Sequence, residues 1–438
     1  MTLLLEAPLS HEARRAQDMA HGSRGLTGHG AGMFILWLCV FSGGFVINEP
    51  APYDLIMVPV IAGWFMVGGL RLYPQFAPAF LLMILFLVGG ILGLTQATDL
   101  SDAPLFIAVT GFLIGTFIFY ANLIGQDGSV LKIIRSASIA SAAIVALIGI
   151  LGYFGAIPGA SNFTLYDRAK GTFQDPNVFG PFLLLPIALL AQDFLTKPLR
   201  RTIWLAPVFM ILLFGVFLSF SRAAWGMTVF ILVGLTVVVF IVDRHPRLRM
   251  RIIGLTLLGL VVLAGGLAIA LSFESVAEIF TVRAKLVQPY DAARVGRFAR
   301  YSLGFTWAFE SPLGIGALQF RNEFPEDPHN IYMKSFLAHG WLGGLSYIAF
   351  TLWTLIRGFP LLFKDRDWTP IYRAAYITFV AHVLTGAIID TDHWRHLYLL
   401  YGMVWGCFIL FERERRGSRP RRPRATRTGS AHGIRGIG

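Results

Sequence analysis

Long apolar runs alternate with short polar connections along most of the chain. Runs of about 20 apolar residues recur from Ala31 to Phe411, and each is long enough to cross a bilayer as a helix. Because backbone polar groups find no water in hydrocarbon, spans of this length are expected to be α-helical. No alternating pattern of transmembrane barrel strands accompanies them. The pattern predicts an all-α, polytopic membrane protein.

Twelve spans fit this pattern. They are expected near residues 31–48, 52–70, 76–95, 103–122, 131–153, 178–195, 203–219, 223–242, 252–271, 340–357, 372–390 and 396–411. Residues 1–30 then form a cytoplasmic tail without a signal-peptide core, and residues 31–411 form the transmembrane domain. Within that domain, residues 273–339 form a long outer segment whose apolar positions predict helices at the membrane surface. Residues 412–438 are Pro-, Gly- and Arg-rich and are expected to be disordered and cytoplasmic.

The lysines and arginines of the short loops orient the chain. With the N-terminus in the cytoplasm, the strongly basic connections all fall on the cytoplasmic side, around Arg71, Lys132–Arg135, Lys197–Arg201, Asp243–Arg251 and Arg357–Arg366. The arginine-rich C-terminal tail falls there too. This arrangement predicts an inner-membrane protein with both termini in the cytoplasm.

Composition excludes several classes. Only 14% of the residues are charged and mean hydropathy is +0.64, whereas soluble domains carry roughly 25% charged residues. The net charge of +12 does not indicate nucleic acid, because much of the basic excess lies in the C-terminal tail. Cys39 and Cys407 both lie inside apolar spans, so neither a disulfide nor a metal site is predicted from them. Nucleotide-binding and zinc-protease motifs are absent.

Some cations on the predicted outer face break the positive-inside bias. They are Arg168, Lys170, Arg222, Arg283, Lys285, Arg294, Arg297 and Arg300. An anionic group bound at that face would account for them. Arg168 and Lys170 begin a segment that ends at Asn177 and could grip a phosphate; the alternative is a surface loop that meets lipid headgroups. Arg222 follows Ser221 in a tight turn, where snorkelling to the interface is the alternative.

The long outer segment carries two further motifs. Gly296-Arg297-Phe-Ala-Arg300-Tyr301 precedes Pro312-Leu-Gly314-Ile-Gly316, where arginines that simply face solvent and a plain turn are the alternatives. Asp327-Pro-His329-Asn330-Ile-Tyr332 follows. A histidine at the mouth of an outer cavity can act as a general base near neutral pH, although a lone loop histidine is more often structural.

One acidic loop, Asp390-Thr-Asp392-His393 with His396 nearby, superficially resembles a metal-binding site. We favour a polar loop that closes the cavity, and interpret Asp99 and Asp102 in the same way. Neither a metal ion nor another cofactor is expected.

In this order, the segments resemble the O-antigen ligase and O-antigen polymerase superfamily. The shared pattern is Arg-x-x-Gly-Thr-Phe-x-x-Pro-Asn, Ser-Arg at a span junction, Gly-Arg-x-x-x-aromatic with Pro-Leu-x-Gly-x-Gly, and His-Asn-x-Tyr before Gly-x-x-Gly, over roughly residues 160–345. Ala223, Tyr301 and Ala338 depart from the glycine, tryptophan and glutamate that are frequent at these positions.

The resemblance implies a GT-C-like, inverting and metal-independent glycosyltransferase that works on the periplasmic face. Its donor would be a glycan on undecaprenyl diphosphate, and its acceptor another lipid-linked glycan or lipid A-core. Arg222, Arg297 and His329 would be catalytic. The substrate would be bound by Arg168, Lys170, Asn177, Arg300, Asn330 and Tyr332.

Alternatives remain within and outside this class. An O-antigen or exopolysaccharide polymerase and a ligase share these motifs, and so does a protein O-oligosaccharyltransferase. A transporter or flippase is the rival class, but transporters place ionisable groups near the bilayer midplane. The predicted spans are nearly free of charge, which favours the enzyme.

Overall fold

A computed structural model describes residues 30–283, 297–324 and 327–417. Its helices are α1 (Gly30–Ser42), α2 (Pro52–Met66), α3 (Ala77–Gly93), α4 (Ala103–Gln126), α5 (Val130–Tyr153), α6 (Pro176–Phe182), α7 (Leu184–Thr196), α8 (Leu199–Thr202), α9 (Ala206–Leu218), α10 (Arg222–Val242), α11 (Pro246–Ala270), α12 (Glu274–Arg283), α13 (Arg297–Glu310), α14 (Ile331–Gly358), α15 (Thr369–Thr385) and α16 (Arg395–Gly417). A two-stranded hairpin, β1 (Thr164–Leu165) and β2 (Arg168–Ala169), lies between α5 and α6.

The all-α membrane architecture is confirmed. Each of the twelve predicted spans overlaps an α-helix, and eight helical segments among the described residues are long and apolar enough to cross a membrane. The helices α1 and α2 are apolar but shorter. The chain is therefore a multi-pass membrane protein, while twelve crossings and the GT-C comparison remain predictions. Residues 1–29, Lys285, Arg294 and residues 418–438 lie outside the described residues.

Two helix boundaries differ from the sequence prediction. Helix α14 begins at Ile331 rather than at residue 340, because Asn330 caps its N-terminus. Gly340, where the prediction started the span, is instead a kink inside the helix with φ +62°. Helix α16 continues to Gly417, so residues 412–417 of the predicted disordered tail are helical. Arg413 anchors this extension by donating hydrogen bonds to the Gly125 and Gln126 carbonyls at the end of α4.

Small residues let the central helices approach closely, as is common between membrane helices. Helix α4 packs along α16, and α3 packs along α14. A methyl group on Gly402 of α16 would lie 2.6 Å from Tyr120 Cβ of α4. One on Gly89 of α3 would lie 2.5 Å from the His339 carbonyl oxygen of α14. These contacts fix how α14, which carries the candidate site, sits in the bundle.

The connections predicted for the cytoplasmic face contact one another at one end of the bundle, which we call the Asp193 end. Asp193, near the end of α7, pairs with Lys197 at 2.7 Å and with Arg135 of α5 at 2.5 Å. Arg251, early in α11, donates a hydrogen bond of 2.6 Å to the Phe194 carbonyl. Basic residues from three connections thus converge on the C-terminal end of α7.

Predicted outer connections also contact one another, at the end of the bundle that carries His329 (the His329 end). Gln319 accepts hydrogen bonds from the Thr98 hydroxyl and the Asp99 amide, at 2.8 and 3.1 Å. Thr172 donates a hydrogen bond of 2.5 Å to the Gly44 carbonyl. The sorting of connections into two sets agrees with the predicted topology. Which end faces the cytoplasm remains a prediction.

Candidate functional site

Arg168 links two of the sequence motifs. It lies on β2, after a tight turn in which Tyr166 and Asp167 both have positive φ. Its Nε donates a hydrogen bond of 2.7 Å to the Ser219 carbonyl, and its Nη2 donates one of 2.8 Å to Asn177 Oδ1. The guanidinium is thus held between the start of α6 and the turn before α10. Arg168 is only 6% exposed, so most of this side chain is packed inside the protein.

The turn that Arg168 holds is the one that presents Arg222. Phe220 is buried with a positive φ of 45°, and the Ser221 hydroxyl accepts a hydrogen bond from the Ala224 amide as the N-cap of α10. Arg222 is the first residue of that helix and is partly exposed. A helix N-terminus adds a partial positive charge to that of the guanidinium. This arrangement suits an anion.

The other predicted phosphate ligands are Lys170, Arg300 and Arg297. Lys170 is partly exposed, and its backbone amide donates to the Phe163 carbonyl at 2.9 Å. Arg300 lies in α13 and is 7% exposed. Arg297 begins α13, but the side chains of Arg297 and Arg283 fall outside the described part of the chain. The structure thus unites Arg168 with Asn177 and with the turn before Arg222, and leaves the role of Arg297 a prediction.

His329 has a carboxylate partner that the sequence did not reveal. Its Nδ1 lies 3.5 Å from Asp390 Oδ2, in the loop between α15 and α16. The His329 backbone has a positive φ of 52°, and its carbonyl accepts a hydrogen bond of 3.0 Å from the Tyr301 hydroxyl. The imidazole remains 32% exposed. A histidine oriented by a carboxylate through Nδ1 can present Nε2 as a base.

Lys334 lies among three carboxylates, two of which belong to the acidic loop. Its ammonium lies 3.1 Å from Asp327 Oδ2, 3.1 Å from Asp392 Oδ2 and 3.9 Å from Asp390 Oδ2. Arg321 also pairs with Asp327, at 2.9 Å. We call these five residues, Arg321, Asp327, Lys334, Asp390 and Asp392, the lysine cluster. Because unpaired charges are costly to bury, this mutual pairing lets three carboxylates share a site that is largely withdrawn from water.

Electrostatics favour the ionised carboxylates of the lysine cluster. Burial raises the pKa of Asp327, but Lys334 and Arg321 outweigh it and leave that pKa below the ordinary value. Burial likewise opposes ionisation of Asp392, whereas Lys334 and His393 lower its pKa to about 2. His393 itself has a lowered pKa, chiefly because of burial, and its Nε2 lies 3.0 Å from the Thr110 hydroxyl. Asp327 and Asp392 are therefore anionic at neutral pH.

Asn330 and Tyr332, both predicted to bind substrate, make well-defined contacts within the protein. Asn330 Oδ1 accepts hydrogen bonds from the Tyr332 and Met333 amides at 3.0 and 3.1 Å, which caps α14. The Tyr332 hydroxyl donates to the Val383 carbonyl of α15 at 2.6 Å. These contacts fix the start of α14 directly behind His329. A direct contact with substrate remains a prediction for both residues.

The Pro312–Gly316 motif packs into the kink of α14. The Ile315 amide donates a hydrogen bond of 2.8 Å to the Leu337 carbonyl, and the Trp341 amide donates one of 2.9 Å to the Pro312 carbonyl. The kink at Gly340 interrupts the helical hydrogen bonds of α14, and the motif supplies substitute partners. Gly314 lies against α14, where an added methyl group would be 2.5 Å from the Leu337 carbonyl oxygen, and Gly316 lies against Ala97.

The Arg222 turn and the lysine cluster lie at the same end of the bundle. Helix α10 packs against α15, with Gly234 facing Ile377. Asp243, just beyond the end of α10, interacts electrostatically with Arg373, near the start of α15. The two helices are therefore antiparallel. Arg222 lies twelve residues, about 18 Å, before Gly234, and α15 runs in the opposite direction towards Asp390. The Arg222 turn and the His329–Asp390 pair thus lie at the same end of the bundle.

The metal interpretation of the acidic loop gains no support from this geometry. Asp390 and Asp392 converge on an ammonium group, and no group of three or more His, Cys, Asp or Glu side chains within the described ranges is arranged to hold a metal ion. His396 is turned away, with its ring centroid 5.1 Å from that of His382. Lys334, Asp327 and Arg321 were missed as site residues. The available signal was a lysine in an apolar stretch five residues after His329.

A family model supports the resemblance. The chain is a multi-pass membrane protein in which the His329–Asp390 pair and the Arg222 turn lie at the same end of the bundle. Residues 207–348 match the family model described as O-antigen ligase, a segment that includes Arg222, Arg297 and His329. No curated protein matches the chain. The match confirms the predicted resemblance to the O-antigen ligase and polymerase superfamily. That family supports a glycosyltransferase-like function in general, which implies a lipid-linked glycan and an acceptor as substrates.

Proposed function

We propose that the protein transfers a glycan from undecaprenyl diphosphate to an acceptor hydroxyl on the periplasmic face of the inner membrane. The transfer inverts the anomeric centre and needs no metal. The acceptor is either a second lipid-linked glycan, as in an O-antigen or exopolysaccharide polymerase, or lipid A-core, as in a ligase. The observation that carries the proposal is the His329–Asp390 pair at 3.5 Å, at the same end of the bundle as the Arg222 turn.

The His329 pair supports a role in activating the acceptor. His329 Nε2 accepts the acceptor hydroxyl proton while that oxygen attacks the anomeric carbon. The new carbon–oxygen bond forms as the bond from the anomeric carbon to the diphosphate oxygen breaks, and undecaprenyl diphosphate leaves with the bonding electrons. Asp390 stabilises the imidazolium that results. A direct displacement of this kind inverts the configuration at carbon.

The cations support the second task, which is to stabilise charge on the departing diphosphate. Arg222 and Arg297 are proposed to bind it directly, assisted by Lys170 and Arg300. Guanidinium groups bind phosphate oxygens in a bidentate manner and stabilise developing charge without a metal. Arg168, through its bonds to Ser219 and Asn177, is proposed to keep the Arg222 turn in its binding conformation.

The test is a transfer assay on the purified full chain in lipid nanodiscs. A synthetic undecaprenyl-diphosphate oligosaccharide serves as donor, with either a second portion of it or lipid A-core as acceptor. His329→Ala and Arg222→Ala should abolish product formation but leave membrane insertion intact. Arg200→Ala, at an exposed position of α8, is the matched control. Chelation of divalent ions should leave the rate unchanged.

The outcomes separate the alternatives. Polymer from the donor alone identifies a polymerase, and product on lipid A-core identifies a ligase. Transfer to a serine- or threonine-containing peptide would point to protein O-glycosylation. Movement of intact donor between leaflets without any new glycosidic bond would indicate a flippase and contradict the proposal. Wild-type transfer by His329→Ala would overturn the assignment of the base.

A further inference from the structure

The Lys334 ammonium and the His329 imidazole share one carboxylate oxygen. Asp390 Oδ2 lies 3.5 Å from His329 Nδ1 and 3.9 Å from Lys334 Nζ. Lys334 is 8% exposed, and its other two partners, Asp327 and Asp392, are each at 3.1 Å. A change in the charge of Lys334 or of its partners therefore reaches His329 through a single intermediate group.

We propose that Lys334 is a positioning residue that sets the protonation of His329 through their shared partner Asp390. The inference deepens the proposed function, since it concerns the same candidate base. Lys334 competes with His329 for Asp390, and so moderates how strongly that carboxylate attracts a proton to the imidazole. Without Lys334, Asp390 would favour the protonated form of His329, which cannot act as a base.

The charges of the lysine cluster support this balance. Two cations and three carboxylates give it a net charge of −1 while His329 is neutral. Protonation of His329 brings the net charge to zero. The combined charge of the lysine cluster and His329 therefore changes only between −1 and 0 when the imidazole gains or loses a proton. Removing Lys334 would leave −2, and removing one carboxylate would leave zero. These changes must move the pKa of His329 in opposite directions.

Other groups around His329 complete the environment. Tyr301 of α13 contacts the His329 carbonyl, and His393 acts electrostatically on Asp392. The members of the lysine cluster come from three parts of the chain: Arg321 and Asp327 from the outer segment, Lys334 from α14, and Asp390 and Asp392 from the loop before α16. The pKa of His393 is lowered by burial, so this residue stays neutral while His329 titrates. Among the cluster's carboxylates, Asp392 contacts Lys334 and has a pKa of about 2, so its charge is constant near neutral pH.

The experiment measures the protonation of His329 without any substrate. Full-length protein in nanodiscs reacts with diethyl pyrocarbonate, which modifies neutral imidazole, and modification of the His329 peptide is quantified by mass spectrometry at a series of pH values. The 32% exposed ring is open to the reagent. Lys334→Met should raise the midpoint by about one pH unit or more, and Asp392→Asn should lower it, because each changes the charge that acts on His329 through Asp390.

Controls separate the inference from a loss of folding and from the proposed function. Lys132→Met, at an exposed position of α5, should leave the midpoint unchanged, and the Lys334→Met/Asp392→Asn double variant should return it towards that of the wild type. If Lys334→Met does not fold, Asp392→Asn alone decides. An unmoved midpoint, or a rise in Asp392→Asn, overturns the inference. If the midpoints shift as expected but the wild-type protein has no transferase activity, the inference stands and only the proposed function is refuted.

Discussion

The hydroxyl of Tyr301 in α13 donates a hydrogen bond of 3.0 Å to the main-chain carbonyl of His329. The same oxygen lies 3.3 Å from the Ala387 carbonyl, in the segment that leads to Asp390. One phenol therefore ties together the candidate base and the chain that supplies its carboxylate. His329 has a positive φ of 52°, a conformation that is uncommon outside glycine and needs support from its surroundings.

Tyr301→Phe should lower the rate of glycan transfer while KM for the donor changes little. The substitution removes one oxygen, keeps the ring, and leaves the His329 and Ala387 carbonyls without this donor. A net loss of about 1 kcal/mol in stability is expected, together with a rate loss of up to ~100-fold from a misplaced base. Steady-state kinetics and thermal unfolding measure both. Tyr166→Phe is the matched control, because Tyr166 is 78% exposed in the hairpin turn.

Arg168→Lys tests whether the guanidinium supports the Arg222 turn. Lysine keeps the positive charge but cannot reach Ser219 and Asn177 in the same forked geometry. Since hydrogen bonds from charged donors contribute ~1.5–3 kcal/mol each, a loss of a few kcal/mol in stability should accompany weaker donor binding. Arg201→Lys, at an exposed position, should change neither. If Arg168→Lys binds donor normally and unfolds at the wild-type temperature, the supporting role is wrong.

Asn330 can be assigned to capping or to substrate binding by comparing two substitutions. Serine replaces the side-chain oxygen that accepts from the Tyr332 and Met333 amides, whereas alanine removes it. If capping dominates, Asn330→Ala loses about 0.5–2 kcal/mol of stability, and Asn330→Ser recovers most stability and activity. A serine variant that is stable but inactive would show instead that the amide group contacts substrate.

Gly340→Ala should prevent correct folding. Gly340 has φ +62°, and an added methyl group would lie 2.6 Å from the Pro312 carbonyl oxygen. The kink and the Pro312–Gly316 motif would have to separate, which would break the hydrogen bond from the Trp341 amide. Yield of monodisperse protein in detergent measures the effect. Gly226→Ala in α10, where an added methyl group meets nothing within 4 Å, should fold normally.

The sequence predicted the helices well, because a run of about 20 apolar residues specifies a membrane helix almost by itself. It predicted the start of α14 poorly. Gly340 looked like the beginning of a span, whereas the preceding stretch from Ile331 is helical and contains Lys334. A lysine within an apolar helix is difficult to interpret until its carboxylate partners are known.

The candidate site depended on contacts that periodicity does not encode. Arg168 and Ser219 are 51 residues apart in sequence, and His329 lies in a different connection from Asp390. The motifs named most of the participating residues, but not which of them meet. The sequence therefore predicted His329 as a base without a carboxylate partner, and the acidic loop as a polar loop that closes the cavity, with a metal site as the alternative. The structure shows that Asp390 of this loop contacts both Lys334 and His329.

The orientation of the bundle can be tested with single cysteines on the wild-type background. Cys39 and Cys407 are both fully buried, so a membrane-impermeant maleimide should not label the parent chain. Ser101→Cys lies at the His329 end, next to the Asp99 that contacts Gln319, and should be labelled when only the periplasm is open to the reagent. Arg200→Cys lies close to the Asp193 end and should be labelled only after the inner membrane is permeabilised. The opposite labelling pattern would place His329 in the cytoplasm, where the glycan donor would have to be used before it is flipped, and would exclude a periplasmic transferase.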